Sequence, residues 1–245
     1  MSSGYATRFQ TEEAVKEYEQ VEYSPNSYSA KIWSLQKPIV LRLIEDFAST
    51  RKESRLLDFA CGTGRILSTV EPLVSESVGL DISPSMIKIA ASKCKRSELI
   101  VGDILQNPDL VDDQFDIITC FRFLLNAESQ TRIDVLRVLR SKLVSRNGIL
   151  VANVHGNSWS ARHLALLYRK WVKGEIHNEM SPPEITRMFH AAGFKIVRYY
   201  GFGIIPPTLY RTPLAPMAFK VDSIARDIHI LRSISVDLLY VCVPA

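Results

Sequence analysis

Two kinds of hydrophobic pattern alternate along the chain from residue 55 onward. Short apolar runs rich in β-branched residues indicate buried strands, and the segments between them repeat apolar residues every three or four positions, as amphipathic helices do. Such alternation is typical of βαβ units and predicts a parallel sheet covered by helices. The runs that we interpret as strands are 55–60, 78–82, 99–101, 115–121, 149–155, 194–199 and 236–243.

The segments outside this alternation have a different character. Residues 11–50 predict a charged helix over 12–19 and an amphipathic helix over 39–47, with an aromatic stretch between them. The later segments comprise a basic aromatic helix (158–173), a helix with capping-box spacing that starts at Ser181, an apolar proline-rich insertion (201–207) and a helix around 218–231.

One break from strand to helix organises the chain, at Leu56-Leu57-Asp58-Phe59-Ala60-Cys61-Gly62-Thr63-Gly64-Arg65. The glycines Gly62 and Gly64 permit positive φ and let a ligand approach the backbone where a Cβ would clash. The helix start behind them offers free backbone N–H groups. This arrangement predicts a site for an adenosine-bearing cofactor.

The spacing distinguishes between cofactors. A dinucleotide fingerprint requires a third glycine, and Gly62-Thr63-Gly64-Arg65-Ile66-Leu67 lacks it, which counts against NAD. Asp81 ends the second strand, where a carboxylate can accept both ribose hydroxyls. The pattern Asp58-x-Ala60-x-Gly62-x-Gly64, followed by Gly79-Leu80-Asp81-Ile82-Ser83, resembles motifs I and II of the class I S-adenosylmethionine-dependent methyltransferases. The resemblance extends from about 18 to 243 and is most specific at 58–64 and 78–103.

The resemblance implies an α/β fold: a doubly wound, seven-stranded, mostly parallel sheet of the Rossmann-like methyltransferase type. It also implies an N-terminal helical lid and a C-terminal insertion before a last, antiparallel strand. We expect a single domain over 1–245, with the lid at 1–50, a cofactor-binding half at 51–155 and an acceptor-side half at 156–245. The implied cofactor is S-adenosylmethionine, and the implied product is S-adenosylhomocysteine.

The resemblance also implies roles for individual residues toward the cofactor. Motif I would lie under the methionine part, Asp81 would hold the ribose, and the residues after strands two and three would contact the adenine. For Asp103 the alternative is a plain turn aspartate, and for the two lid tyrosines it is packing of the lid alone. The complete set of expected cofactor-binding residues is Tyr23, Tyr28, Asp58, Ala60, Gly62, Gly64, Asp81, Ile82, Met86, Asp103, Ile104 and Phe121.

Three polar residues near later strand ends are the candidates for catalysis. Arg122 and Asn126 interrupt the apolar stretch after strand four and could orient a carboxylate, phosphate or hydroxyl of an acceptor. An equal alternative for Arg122 is an ion pair with an acid at the sheet edge. His155 ends strand five and is a candidate general base, although a purely structural histidine is the commoner case. We expect direct in-line displacement, in which the protein mainly aligns the nucleophile.

Composition restricts the possible partners. The chain has 30 basic and 26 acidic residues, a net charge of +4, and its only basic cluster is the short run 93–96, so we expect no nucleic-acid partner. The four cysteines (61, 94, 120 and 242) form no C-x-x-C pair, which predicts neither a zinc site nor a disulfide framework, and we expect a metal-independent reaction. Residues 1–5 lack a signal-peptide pattern and no apolar run reaches about 18 residues, so we expect a cytoplasmic protein without a membrane partner, as a monomer or homodimer.

The acceptor must be bound by the less regular segments, 18–35, 156–180 and 201–232. They are rich in aromatic and aliphatic residues, which favours oxygen or nitrogen methylation of a small, partly apolar organic acceptor. The stretch after strand four has no Asp/Asn-Pro-Pro-Tyr motif, which counts against methylation of bases or of amide nitrogen. Two alternatives stay open: a methyltransferase acting on RNA or protein, and a non-catalytic cofactor-binding module of the same fold.

Overall fold

A computed structural model describes residues 11–111, 114–144, 147–175, 177–205 and 208–245. The sequence-based expectations for residues 1–5 and for Pro206 and Pro207 fall outside these ranges. The described residues form one sheet of seven strands. The strands are β1 (Arg55–Phe59), β2 (Glu76–Asp81), β3 (Glu98–Val101), β4 (Ile117–Cys120), β5 (Ile149–Val154), β6 (Phe194–Phe202) and β7 (Asp237–Pro244).

The strand order in the sheet is β3-β2-β1-β4-β5-β7-β6. The first five strands are mutually parallel, whereas β7 runs antiparallel to both β5 and β6. The predicted seven-stranded, mostly parallel sheet with a last antiparallel strand is therefore confirmed. The order reverses between β1 and β4, and open α/β sheets bind ligands outside the carboxyl ends of strands at such a point.

Helices cover both faces of the sheet. On one face, α5 and α7 bury apolar residues against the strands, and α2 and α3 do so on the other face. The helices are α1 (Glu12–Glu22), α2 (Tyr28–Ala48), α3 (Leu67–Val70), α4 (Pro84–Lys93), α5 (Ser129–Lys142), α6 (Ala161–Lys173), α7 (Pro182–Ala191), α8 (Ala215–Ala225) and α9 (His229–Ser233). No helix among the described residues is long and apolar enough to cross a bilayer.

Two predicted helix boundaries were wrong. Helix α2 begins at Tyr28 rather than at 39, because the Ser27 hydroxyl accepts the Ala30 N–H at 3.0 Å and caps the helix there. The helix expected behind the glycine turn is only a single α-turn, α3, followed by a 3-10 turn over Glu71–Leu73. Pro72 lies in that turn and has no N–H to continue the α-helical ladder.

The predicted helix at 218–231 is two helices, α8 and α9, and the segment before them is fixed by a buried carboxylate. Asp222 on α8 accepts the N–H groups of Gly203 and Ile204, both at 3.0 Å, and the hydroxyl of Tyr210. These bonds hold residues 203 and 204, directly after β6, against α8.

Candidate functional site

The turn after β1 has the backbone shape that its sequence predicts. Ala60, Gly62 and Gly64 all have positive φ, at 54°, 56° and 73°. A Cβ at Gly64 would lie 2.8 Å from the Cys94 sulfur, so this glycine also allows α4 to pack closely behind the turn. At Gly62 an added Cβ would meet nothing nearer than the Met86 sulfur at 3.9 Å. Gly62 therefore leaves open the space in front of the turn.

The Asp81 carboxylate accepts hydrogen bonds from backbone N–H groups of the glycine turn and of the segment after β2. Its Oδ2 accepts the Gly62 N–H at 2.8 Å, and its Oδ1 accepts the Ser83 N–H at 2.9 Å. Burial raises the pKa of Asp81, while these N–H groups counteract the shift. The carboxylate at the tip of β2 thus has a fixed orientation, as a group that accepts a diol needs.

Asp58 is the most deeply buried acid of the site, at 1% exposure. Its Oδ1 accepts the Thr119 hydroxyl at 2.6 Å, whereas its Oδ2 has no hydrogen-bond partner among the described residues. Desolvation raises its pKa from 3.8 to about 7, despite the opposing effects of Thr119 and the Leu67 N–H. A buried carboxyl oxygen without a partner is costly, and a bound ammonium group would satisfy it.

Two small cavities lie in front of these carboxylates. The turn cavity, of about 90 Å³, and the strand-end cavity, of about 310 Å³, share Ala60, Asp81 and Ile82 as lining residues. The turn cavity is also lined by Tyr23, Asp58, Gly62, Met86 and Phe121, and the strand-end cavity by Asp103 and Ile104. Ten of the twelve expected cofactor-binding residues therefore line these two adjoining cavities.

Helix α1, part of the predicted lid, lies against the turn cavity and is attached to its floor. Glu19 accepts the Thr63 hydroxyl at 2.6 Å and forms an ion pair with Lys93 on α4. Tyr18 and Tyr23 both line the cavity, with their hydroxyls 3.1 Å apart. The attachment joins the lid to the glycine turn across 44 residues of sequence, which no local pattern reveals.

Beyond the turn cavity lies a much larger one, of about 750 Å³, which we call the large cavity. It is bounded by the start of α2, the inner side of α6, the ends of β4, β5 and β7, and residues 203–205 and 208. Arg65, Phe121 and Arg122 line both the turn cavity and the large cavity. Tyr28, expected at the cofactor, lines the large cavity instead, and Gly64 lines none of the three cavities.

The three predicted catalytic residues do not line the same cavity. Arg122 and His155 line the large cavity, whereas Asn126 lines the strand-end cavity and donates its side-chain N–H to the Arg122 carbonyl. Arg122 has a φ of 57° and donates to the Ser29 hydroxyl at 3.0 Å and to Glu22 at 3.4 Å. Arg122 therefore does pair with an acid, but that acid is Glu22 at the end of α1 and not one at the sheet edge, as the alternative had it.

The sheet register places an acid beside His155 that the sequence analysis did not single out. Val154 pairs with Leu238, so Asp237 follows opposite His155 on the antiparallel strand. Asn153, two residues earlier on the same face, donates to Asp237 at 3.4 Å. Successive side chains of a strand alternate between faces, so these three polar groups share the face that α2 covers. A polar residue at the start of β7 was the available signal.

Burial shifts the pKa values of His155 and Asp237 in opposite directions. It lowers the pKa of His155 well below its ordinary value, and the nearby charges of Arg122 and Arg162 lower it further. Burial raises the pKa of Asp237, while Arg122 counteracts the shift. The His155 Nδ1 and the Tyr28 hydroxyl have no hydrogen-bond partner within the described part of the chain. The large cavity therefore has neutral polar groups available on its wall.

Comparison with known families identifies the fold and the cofactor. Residues 32–199 match the model of a methyltransferase domain family. The chain belongs to this family. It is an S-adenosylmethionine-dependent methyltransferase, as the sequence motifs predicted, and S-adenosylmethionine is the cofactor of the family.

Known relatives of this methyltransferase act on different molecules. It is 28% identical to demethylmenaquinone methyltransferase of Thermotoga maritima over 63% of this chain and 76% of that protein. It is 26% identical to a ubiquinone biosynthesis O-methyltransferase of Xanthomonas euvesicatoria over 62% and 68%, respectively. The alignments to several further relatives span about half of their length.

The fold also matches solved structures. Magnesium protoporphyrin IX methyltransferase from Synechocystis, with bound S-adenosylhomocysteine, superposes with a TM-score of 0.62 at 13% identity, covering 89% of this chain and 87% of that one. In the described part of this methyltransferase, no three histidine, cysteine or acidic residues are grouped as metal ligands would be.

Proposed function

We propose that this methyltransferase methylates an oxygen or nitrogen atom of a small, partly apolar organic acceptor bound in the large cavity. The observation that supports this most directly is the wall common to the two sites. Arg65, Phe121 and Arg122 line both the turn cavity and the large cavity, so a ligand in one reaches a ligand in the other there. A volume of about 750 Å³ is within the range of roughly 300–1,000 Å³ typical of small-molecule sites.

The lining of the large cavity suggests the character of the acceptor. Apolar side chains from several elements form much of the wall, and polar groups converge at the end nearest the sheet. The apolar lining residues include Ile32, Phe121, Leu166, Ile204, Ile205 and Val236. The named substrates of the relatives, demethylmenaquinone and ubiquinone precursors, are likewise small organic molecules, which supports the same class here.

In the proposed reaction the chain binds, orients and desolvates. Bound S-adenosylmethionine supplies a methyl group already activated by its sulfonium. Asp58 would hold the amino end and Asp81 the ribose, since both carboxylates lie in the turn cavity. The lid, attached through Glu19, would exclude water. Phe121 lies at the junction of the cavities and would align the acceptor with the methyl group.

Proton removal from the acceptor is proposed to use Asp237 rather than His155 alone. A histidine whose pKa is lowered is a weak base, whereas a carboxylate whose pKa is raised is a stronger one. Both residues line the large cavity, so His155 would position the acceptor hydroxyl or amine for proton removal by Asp237. The earlier prediction of His155 as the base stays open to the same test.

The experiment begins with calorimetric titration of S-adenosylmethionine and, separately, NADH. Binding of the first alone, abolished in Asp81→Ala, is the expected result. A screen of phenols, hydroxy acids and amines with methyl-labelled S-adenosylmethionine then identifies an acceptor.

The role of Asp237 is tested by substitution. In Asp237→Asn we expect a loss of about 10²–10³ in kcat with an unchanged affinity for the cofactor. Asp227→Asn, an exposed ion-pair residue, is the matched control. Labelling of large RNA or protein fractions, with none of the small acceptors, would contradict the proposal.

A further inference from the structure

The helix α6 has its apolar stripe on the outside of the protein. Leu164, Leu167, Tyr168, Trp171 and Val172 follow the spacing of a single helix face. All five are exposed, with Trp171 at 86%, Leu164 at 71% and Tyr168 at 65%. An amphipathic helix of a globular protein normally turns such a stripe toward the core, whereas α6 turns its stripe toward the solvent.

The opposite side of α6 explains why the orientation is reversed. Arg162, Leu166 and Arg169 line the large cavity, and Leu166 is the only buried residue of the helix. The charged side is thus used for the cavity wall, and the apolar side is left without a covering element in the described structure. Turning the helix over would remove the guanidinium groups from the cavity.

The charge of α6 indicates what kind of surface covers it. Between 161 and 173 there are four basic residues and no acidic one. Arg169 pairs with Glu175 beyond the helix end, whereas Lys170 and Lys173 are exposed in the last turn of α6. Trp159, just before the helix, is 52% exposed. Aromatic and aliphatic residues on one side with lysine and arginine on the other are typical of helices that lie in a lipid interface.

A second exposed apolar face follows the same cavity wall. Helix α8 presents Leu214, Met217, Val221 and Ile224 outward, three or four residues apart, with exposures of 37–60%. Residues 203–205 and 208, which lead into α8, line the large cavity as α6 does. Two apolar faces therefore occur on two segments that enclose the same cavity.

We propose that the outward face of α6, assisted by that of α8, binds the surface of an anionic phospholipid bilayer. A second copy of the chain is less suitable as the occupant, because a two-fold interface would bring the exposed Lys170 and Lys173 of α6 close to the same lysines of the other copy. An anionic bilayer attracts these two lysines instead. Binding is peripheral, since no described helix can span the bilayer. This proposal replaces the sequence-based expectation of no membrane partner.

The test is flotation of the full-length protein with vesicles, without cofactor or acceptor. We expect binding to phosphatidylcholine vesicles that contain about 30% phosphatidylglycerol, weaker binding to pure phosphatidylcholine, and weakening by salt. Trp171→Glu should lower the affinity about tenfold or more, because it places a like charge and no apolar surface at the interface. Lys170→Glu with Lys173→Glu should act mainly on the anionic vesicles. Val197→Ser is the matched control, an apolar residue 52% exposed on β6.

Three outcomes would overturn the proposal. The first is absence of binding to the anionic vesicles. The second is equal vesicle binding by the natural protein and by Trp171→Glu, with unchanged circular dichroism. The third is a dimer in analytical sedimentation that Trp171→Glu dissociates, together with absence of vesicle binding. The last would assign the face to a second copy. Because no methyl transfer is measured, failure of the proposed acceptor chemistry would leave this result unaffected, and failure here would leave that chemistry untouched.

Discussion

Asp58→Asn tests the buried carboxylate that we propose to hold the amino end of the cofactor. The pKa of Asp58 is about 7 in the folded protein and 3.8 ordinarily, so folding favours the protonated form. Its contribution to stability is therefore complete below about pH 3.8 and is lost as the pH rises through 7. Asparagine keeps an oxygen for the Thr119 hydroxyl and has no charge at any pH. Without cofactor, the variant should be more stable than the natural protein above pH 7.

The size of the effect follows from the two pKa values. At about 1.4 kcal/mol for each pH unit between them, the ionised carboxylate costs roughly 4 kcal/mol by pH 8. Relaxation and water entry reduce this, so we expect a gain of about 2 kcal/mol, or several degrees in Tm for a domain of this size. At pH 5 the gain should fall to less than half, because the natural protein is then mostly protonated at Asp58.

Thermal melts at pH 8 and pH 5 measure the gain in stability, and calorimetry measures the loss of affinity for the cofactor. Affinity for S-adenosylmethionine should fall at least about tenfold in Asp58→Asn, because a neutral amide replaces the partner of an ammonium group. Asp46→Asn is the control, since Asp46 is an exposed carboxylate of α2. Equal melting temperatures at pH 8, or a gain that increases toward acid pH, would refute the reasoning.

Three further substitutions probe the surrounding structure. Gly64→Ala should destabilise the protein by about 2 kcal/mol or more in urea melts, because a Cβ at φ 73° would meet the Cys94 sulfur; an unchanged midpoint would contradict this. Glu19→Gln should release the lid from Lys93 and accelerate dissociation of S-adenosylmethionine in stopped-flow measurements, with little change in Tm; an unchanged off-rate would count against the lid. Asp81→Ala should remove detectable cofactor binding in calorimetry, and retention of micromolar affinity would oppose its assigned place.

The parts of the site that could be predicted from sequence are those encoded locally. The glycines of the β1 turn and Asp81 are recognisable because turn conformation and the acid at a strand tip depend on a few adjacent residues. The antiparallel direction of the last strand came from the family resemblance, since alternating patterns alone do not specify how strands pair.

The parts that could not be predicted depend on contacts between distant segments. Glu19 accepts the Thr63 hydroxyl across 44 residues, and Asp237 follows opposite His155 only through the antiparallel register of β5 and β7. The periodicity of α6 is visible in the sequence, yet periodicity does not say which face turns inward. The usual assumption that the apolar face does so is wrong for this helix.

Arg122 connects events that are usually treated as separate. Its guanidinium donates hydrogen bonds to Glu22 at the end of α1 and to Ser29 at the start of α2. The same residue lines both the turn cavity and the large cavity. Under the proposed function, an acceptor that attracts this group would alter how firmly α1 is held, and with it the affinity for the cofactor. Thermodynamic reciprocity would then require the cofactor to change the affinity for the acceptor by the same factor. The two substrates would thus be linked ligands, and each dissociation constant would refer to a stated occupancy of the other site.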